Sequence, residues 1–287
     1  MIPRFELHRP SALDEAVSLL GELEDATCYA GGTEILQVMK LGFASARHLI
    51  DLKRVPGIDA IELDPDGGLR IGATVTHRQL ETSPLIASHL PVMVALERQV
   101  ANVRIRNVGT VGGNLCFAEP HSDVATLLLA CEATVVLAGP GSSNRTLALD
   151  EFMVDAFTTA KDEAEIMTQI VVPPGAPDER MAYTRFALAE RPTISVACRL
   201  RVTDDGAIAS PRIVVGAVGP RPMAVEAAAR LDGMAATDVA GVIDDIGQAC
   251  SAEIEPLDEL EIGPAYLENL VAVHVGRALS EATGAAA

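Results

Sequence analysis

Between Ser11 and Leu23 the apolar positions Leu13, Val17 and Leu20 recur at four- and three-residue intervals. That spacing predicts an amphipathic surface helix, with Ser11 as its cap and Asp14 in the favourable first turn. The period then changes. ATCYA (26–30) reads as a short strand, Gly31-Gly32-Thr33 interrupts it, EILQVMKLG (34–42) returns to helical spacing, and RHLIDL (47–52) reads as a second strand. Strand, helix and strand in this order form a βαβ unit, whose two strands lie parallel. GGLRIGATVTHRQL (67–80) supplies another strand and Thr76 as an N-cap, and PLIASHLPVMVALERQVA (84–101) breaks into short helices.

SDVATLLLACEA (122–133) is apolar on every face and predicts a buried helix. It feeds the strand ATVVLAG (133–139), a turn at GPGSSNR and a returning strand TLALD (146–150). EIMTQIVVPPG (165–175) is a strand stopped by Pro173 and Pro174, which sets a domain boundary near residue 175. Beyond it come three strand-like runs, MAYTRFALAE, TISVACRLRVT and ASPRIVVGAVG, the last two joined by the hairpin signal DDG. Helical patterns at 223–233, 237–251 and 264–284 close the chain. Strands followed by helices imply an α+β domain.

Charge and composition narrow the partners. The chain has 287 residues, room for two or three compact units, and its 22 basic against 40 acidic residues leave a net charge of -18. Nucleic acid and anionic membrane surfaces are disfavoured, because both require a basic footprint. No apolar run reaches the roughly 18 residues of a membrane span, and the first residues lack the basic-then-apolar order of a secretion signal. The expectation is a soluble, cytoplasmic protein. Cys28, Cys116, Cys131, Cys198 and Cys250 stand apart, and the six histidines show no HxxxH or HExxH spacing. The chain is therefore expected to carry neither an iron–sulfur cluster nor zinc.

Two glycine-rich stretches carry the candidate chemistry. AGGTEILQVMK (30–40) and GTVGGNLCFAEPHSD (109–123) each place naked backbone ahead of a helix. A glycine turn entering a helix leaves N–H groups pointing outward, a seat for phosphate oxygens. Neither stretch has the GxGxxG or GxxxxGK[ST] spacing, so the ordinary Rossmann and P-loop readings fail. Tight turns with no ligand are the alternative.

AGGTEILQVMK, IGATVTHRQL, IRNVGTVGGNL and EPHSD stand in the order and approximate spacing of a known family. The chain resembles, over nearly its whole length, the FAD-binding medium subunit of the molybdenum hydroxylases, which include xanthine dehydrogenase and carbon monoxide dehydrogenase. The resemblance implies an α+β fold of the p-cresol methylhydroxylase type. Residues 1–175 would form an FAD domain of two subdomains, about 1–55 and 56–175, with FAD between them. Residues 176–287 would form a C-terminal domain of a three-stranded antiparallel sheet and a helical bundle. It further implies that Ala30, Gly31, Gly32, Thr33, Glu34 and Ile35 wrap the FAD diphosphate, and that Thr110, Gly112, Gly113 and Asn114 approach it from the other side. Gly72, Ala73 and Thr76 resemble a further cofactor-facing turn.

Asp123 needs separate treatment, since a carboxylate 4 Å from a diphosphate charge is repelled by about 4 kcal/mol at an effective dielectric of 20. It matches the family aspartate that accepts hydrogen bonds from the nucleotide, with a first-turn helix acid as the alternative. Arg185 falls where relatives carry a lysine near the flavin ring, a cation suited to negative charge on reduced flavin. Val100 stands where some relatives have a stacking aromatic. Met167 is assigned to the adenine or ring pocket, with a core position as the alternative; Arg104 and Arg106 to inter-subunit or surface ion pairs, with neutralising the diphosphate at a distance as the alternative for one of them; Cys116 to the flavin's neighbourhood without a redox role, and His121 to a loop. No residue is given a catalytic role.

The implied function is electron transfer. A large molybdopterin subunit would hydroxylate substrate, a small subunit would carry [2Fe-2S] clusters, and FAD on this chain would pass electrons to NAD+, oxygen or another acceptor, in a dimer of heterotrimers. A stand-alone FAD oxidase or reductase, or a scaffold that has lost FAD, would be the rivals.

Overall fold

A computed structural model of the chain describes residues 2–257 and 262–285. Its backbone divides into two compact units. The first takes the chain through Phe117 and then Ala133–Pro173; the second takes Ala118–Glu132 and the chain from Pro174 onward.

The first unit opens with β1 (Glu6–His8), α1 (Leu13–Glu22), β2 (Ala26–Tyr29), α2 (Ile35–Leu41) and β3 (His48–Asp51). The three strands are parallel in the order β1-β3-β2, as the βαβ reading requires for β2 and β3. β1 is not legible in the sequence, because three residues are too few to show alternation. α1 lays Ala16, Val17 and Leu20 against Ile50, Leu52 and Val55, whereas Met39 of α2 packs with Leu49 and Ala46. Adjacent residues of β3 thus serve opposite faces, as the pleat dictates. Ser11 does not cap α1. Ala12 is the N-cap, and the Ser11 N–H and hydroxyl both donate to Glu15 Oε2, at 2.8 and 3.3 Å.

β4 (Ile61–Leu63) and β5 (Leu69–Gly72) follow, then short helices α3 (His77–Thr82), α4 (Pro84–His89), α5 (Pro91–Glu97), α6 (Val103–Arg106) and α7 (Val111–Phe117). α3 is capped as expected: Thr76 Oγ1 accepts from Gln79 N at 3.2 Å, and Gln79 Oε1 accepts from Thr76 N at 2.8 Å. The chain passes through α8 (Asp123–Ala130) in the second unit, and returns as β6 (Thr134–Ala138), β7 (Asn144–Ala148), α9 (Leu149–Phe152), β8 (Met153–Asp155), β9 (Thr158–Thr159) and β10 (Ile166–Val172). An antiparallel sheet runs β4-β5-β10-β6-β7. Apolar β10 lies at its centre, where both edges are paired.

The second unit holds β11 (Glu179–Phe186), β12 (Ile194–Val202), β13 (Ile208–Gly216) and the two-residue β14 (Met223–Ala224) in that spatial order, all antiparallel. The three expected strands are present, and β14 extends their sheet. Because β14 claims Met223 and Ala224, the helix expected at 223–233 shrinks to a 3-10 segment, Glu226–Leu231. A second 3-10 segment, Ala236–Gly241, precedes α10 (Ile243–Ser251) and α11 (Pro264–Thr283). Ile194, Val196, Cys198 and Leu200 of β12 join Val271, Val275 and Leu279 of α11 in one core. The intervening Ser195 faces the other way, onto Thr126 of α8 at 3.0 Å. β12 is therefore covered on both faces, by α11 on one and on the other by α8, every residue of which is buried. Among the described residues, no helix is long and apolar enough to cross a membrane.

Candidate functional site

The first glycine turn leaves β2 after Tyr29 and enters α2 at Ile35. Gly32 adopts φ +75°, a conformation that only glycine takes without strain. Among the described residues, no acceptor meets the backbone N–H of Gly31, Gly32 or Thr33. Lys53 braces the strand end: its Nζ donates to Ala30 O at 3.1 Å, pairs with Asp51 at 2.9 Å and lies 4.0 Å from the Tyr29 ring centre.

The second turn lies directly against the first. A Cβ on Gly31 would stand 2.1 Å from Val108 O and 2.8 Å from Gly109 Cα. Contact this close, between stretches nearly eighty residues apart, requires bare backbone at Gly31. The second turn is stitched to the segment after β5. His77 N donates to Gly109 O at 3.0 Å and Val111 N to Val75 O at 2.9 Å, a one-pair bridge between Thr76 and Thr110. Ala73 N donates to Thr168 O at 2.9 Å, which ties this floor to β10.

Here the structure corrects the open-amide reading of the second stretch. Gly112, Gly113 and Asn114 lie inside α7, and their N–H groups are committed: to Ala73 O at 2.9 Å, Thr110 Oγ1 at 3.1 Å and Thr110 O at 2.9 Å. Gly112 serves close packing, since its Cβ would fall 2.6 Å from both Ala73 Cβ and Ala73 O. Gly72 does likewise, at 2.4 Å from the Ile58 carbonyl. Residues 30–35, 72–76 and 109–114 thus share one region of the first unit. Met167 is buried in β10 opposite Leu137.

Asp123 and Arg185 belong to the second unit. Ser122 caps α8, its Oγ accepting from Ala125 N at 3.1 Å, so Asp123 is a first-turn acid. Its buried carboxylate accepts a short hydrogen bond from the Tyr183 hydroxyl, and Arg185 Nε lies 3.5 Å away. Burial, and then the Asp123 charge, push Tyr183 well above the ordinary tyrosine range, so its hydroxyl remains a donor. Sequence reasoning missed Tyr183; its alternation two residues before Arg185 on β11 was the available signal.

The arginine before the second turn has a structural partner, Arg106 Nε donating to Glu81 at 3.0 Å. Burial raises the Cys116 thiol to about 12, which removes it as a redox thiolate. Glu6, His8 and His48 bring metal-ligand atoms within 4.8 Å at the β1–β3 edge, but a direct hydrogen bond between the two rings, at 3.0 Å, accounts for that meeting.

A glycine turn with open amides, set on a βαβ unit and apposed to a second glycine stretch, has neither the Rossmann nor the P-loop spacing. The family profile described as "FAD binding domain in molybdopterin dehydrogenase" matches residues 3–175, and that of the "CO dehydrogenase flavoprotein C-terminal domain" matches residues 184–282. The carbon monoxide dehydrogenase medium chain of Hydrogenophaga pseudoflava is 33% identical over 283 residues, covering 98% of this chain and 97% of the relative. A xanthine dehydrogenase FAD-binding subunit of Escherichia coli O157:H7 is 27% identical over 286 residues, covering 97% and 96%. A solved carbon monoxide dehydrogenase from H. pseudoflava, which lacks the Mo-pyranopterin moiety of its cofactor, superposes with a TM-score of 0.94 at 33% identity, covering 100% of both chains. The chain belongs to the FAD-binding subunits of the molybdenum hydroxylases. It is an oxidoreductase component with an FAD-binding domain.

Proposed function

We propose that this chain holds FAD on the two apposed turns and relays electrons from a small [2Fe-2S] subunit to NAD+, oxygen or another acceptor. The large molybdopterin subunit hydroxylates the substrate, and the assembly is a cytoplasmic dimer of heterotrimers. Residues 1–175, less the α8 excursion that completes the second unit, form the FAD domain and 176–287 the C-terminal domain. The observation that carries the reading is the row of open amides at Gly31, Gly32 and Thr33, with Gly31 seated on the second turn. Three adjacent N–H groups that meet no acceptor among the described residues suit a diphosphate, and the missing Cβ atoms admit it to backbone.

Ala30 to Ile35 wrap the diphosphate by backbone, the Gly31, Gly32 and Thr33 amides donating to it. Gly72, Ala73, Thr76, Thr110, Gly112, Gly113 and Asn114 form the opposing wall, by shape rather than by donated amides. Asp123 accepts from nucleotide hydroxyls, Met167 supplies apolar lining, and Arg185 stabilises negative charge on the ring. Bound FAD supplies the redox chemistry, both one- and two-electron. The protein's part is binding, orientation and electrostatics.

The purified chain should be yellow and release about one FAD per chain on denaturation. A folded chain without flavin, unable to take up added FAD, would overturn the reading. Co-purification with molybdenum- and iron–sulfur-bearing chains tests the partners, and reduction of NAD+ against oxygen uptake separates the acceptors.

A further inference from the structure

Behind the second turn lies a buried histidine–carboxyl pair that the glycine motifs do not call for. His77 opens α3, and its Nδ1 meets both carboxylate oxygens of Glu97, at the end of α5, at 3.1 and 3.0 Å. Their side chains are 5% and 0% exposed. The same histidine holds the turn through its backbone, and its ring fills the side that a Gly109 side chain would need. Its backbone N–H donates to Gly109 O at 3.0 Å. Its ring Cδ2 lies 3.2 Å from the position of a Cβ on Gly109, a point that Thr33 Oγ1 approaches to 3.5 Å from the first turn. One imidazole, one glycine and the first turn therefore converge.

α3 also grips the chain just upstream. Arg106 donates to Glu81 of α3 at 3.0 Å, and to the carbonyls of Val100 and Ala101 at 2.8 and 3.2 Å. The segment before the turn is thus fixed at Arg106 and again at Gly109.

Packing alone does not explain the pair, because two apolar side chains of similar volume fill such a space without burying polar groups. Burial pushes the Glu97 carboxyl up, with His77 opposing it. What the carboxylate adds is a fixed ring: held at Nδ1 by both oxygens, the imidazole is kept in one plane. We propose that His77, oriented by Glu97, is a positioning residue of the FAD site, setting how far the Gly109 turn stands from the first turn. This rests on the FAD reading above.

The test compares the FAD dissociation constant of the deflavinated chain, followed by flavin fluorescence, with its unfolding midpoint in the absence of FAD. In His77→Leu/Glu97→Leu the midpoint should hold or rise, since an apolar pair replaces both partners of a buried polar pair. The dissociation constant should rise about tenfold or more, the effect of losing one well-placed interaction. A folded double variant that binds FAD as tightly as wild type overturns the proposal. Should that variant fail to fold, His77→Gln decides: it keeps an N–H for Glu97 but loses the ring edge against Gly109. Weaker FAD binding at an unchanged midpoint supports the proposal, and unchanged binding overturns it. A wild-type chain that takes up no FAD brings down the functional reading itself, which separates the two failures.

Discussion

Gly31→Ala puts the apposition of the turns to a direct test. The new methyl would stand 2.1 Å from Val108 O, where ordinary contact begins at 3.4 Å, so the turns must part by about an ångström. Overpacking of this kind costs about 1–3 kcal/mol in stability. The larger effect falls on FAD. A charge-assisted hydrogen bond contributes about 1.5–3 kcal/mol, and an ångström of misplacement weakens it steeply, so losing one amide–phosphate contact lowers affinity by about ten- to a hundredfold. Gly42→Ala is the control. Gly42 caps the other end of α2 at φ +84° with nothing within 4 Å of a Cβ, so its substitution brings left-handed strain of about 1–2 kcal/mol and no approach to the second turn. The assay is FAD titration of each deflavinated variant, with circular dichroism confirming the fold. A folded Gly31→Ala chain whose FAD affinity stays within about twofold of the Gly42→Ala control would refute the reasoning.

Three further outcomes follow from the same geometry. Gly112→Ala should lower the unfolding midpoint of flavin-free protein, by about 1–3 kcal/mol of stability, because its methyl meets Ala73 rather than a ligand; an unchanged midpoint would contradict this. In an alkaline titration followed by tyrosinate absorbance, Tyr183 should keep its proton after ordinary tyrosines lose theirs. Its folded-state pKa is raised above 10.0, so the stability it confers is present below about pH 10 and is lost as pH climbs beyond, and Tyr183→Phe should flatten that loss. Cys131, Cys198 and Cys250, each buried and raised to about 12, should react slowly with a thiol reagent at pH 8 in the native chain and rapidly once unfolded; fast native labelling at these three would refute the burial.

What the sequence made legible was local. Helical spacing after Gly31-Gly32 and the strands around it specified the parallel βαβ unit, and Thr76 with Gln79 announced the start of α3. Gly112 and Gly113 misled, because two glycines read as loop, whereas here they open a helix that must press against Ala73. Propensity yields to packing at such a point. His77 and Glu97 lie twenty positions apart on different short helices, and no periodicity links them. The contact of Gly31 with Val108 is likewise tertiary. The sequence showed two glycine stretches of similar character, and only the fold shows that one offers its amides while the other spends them.

The excursion through α8 carries a practical consequence. Because Ala118–Glu132 leaves one unit to complete the other and then goes back, the peptide passes between them three times. A fragment ending at Pro173 would strand α8 without β12 and β13, and the complementary fragment would lack the helix whose Thr126 meets Ser195. The two halves are spliced like interleaved clauses, and neither can be excised whole by a single scission.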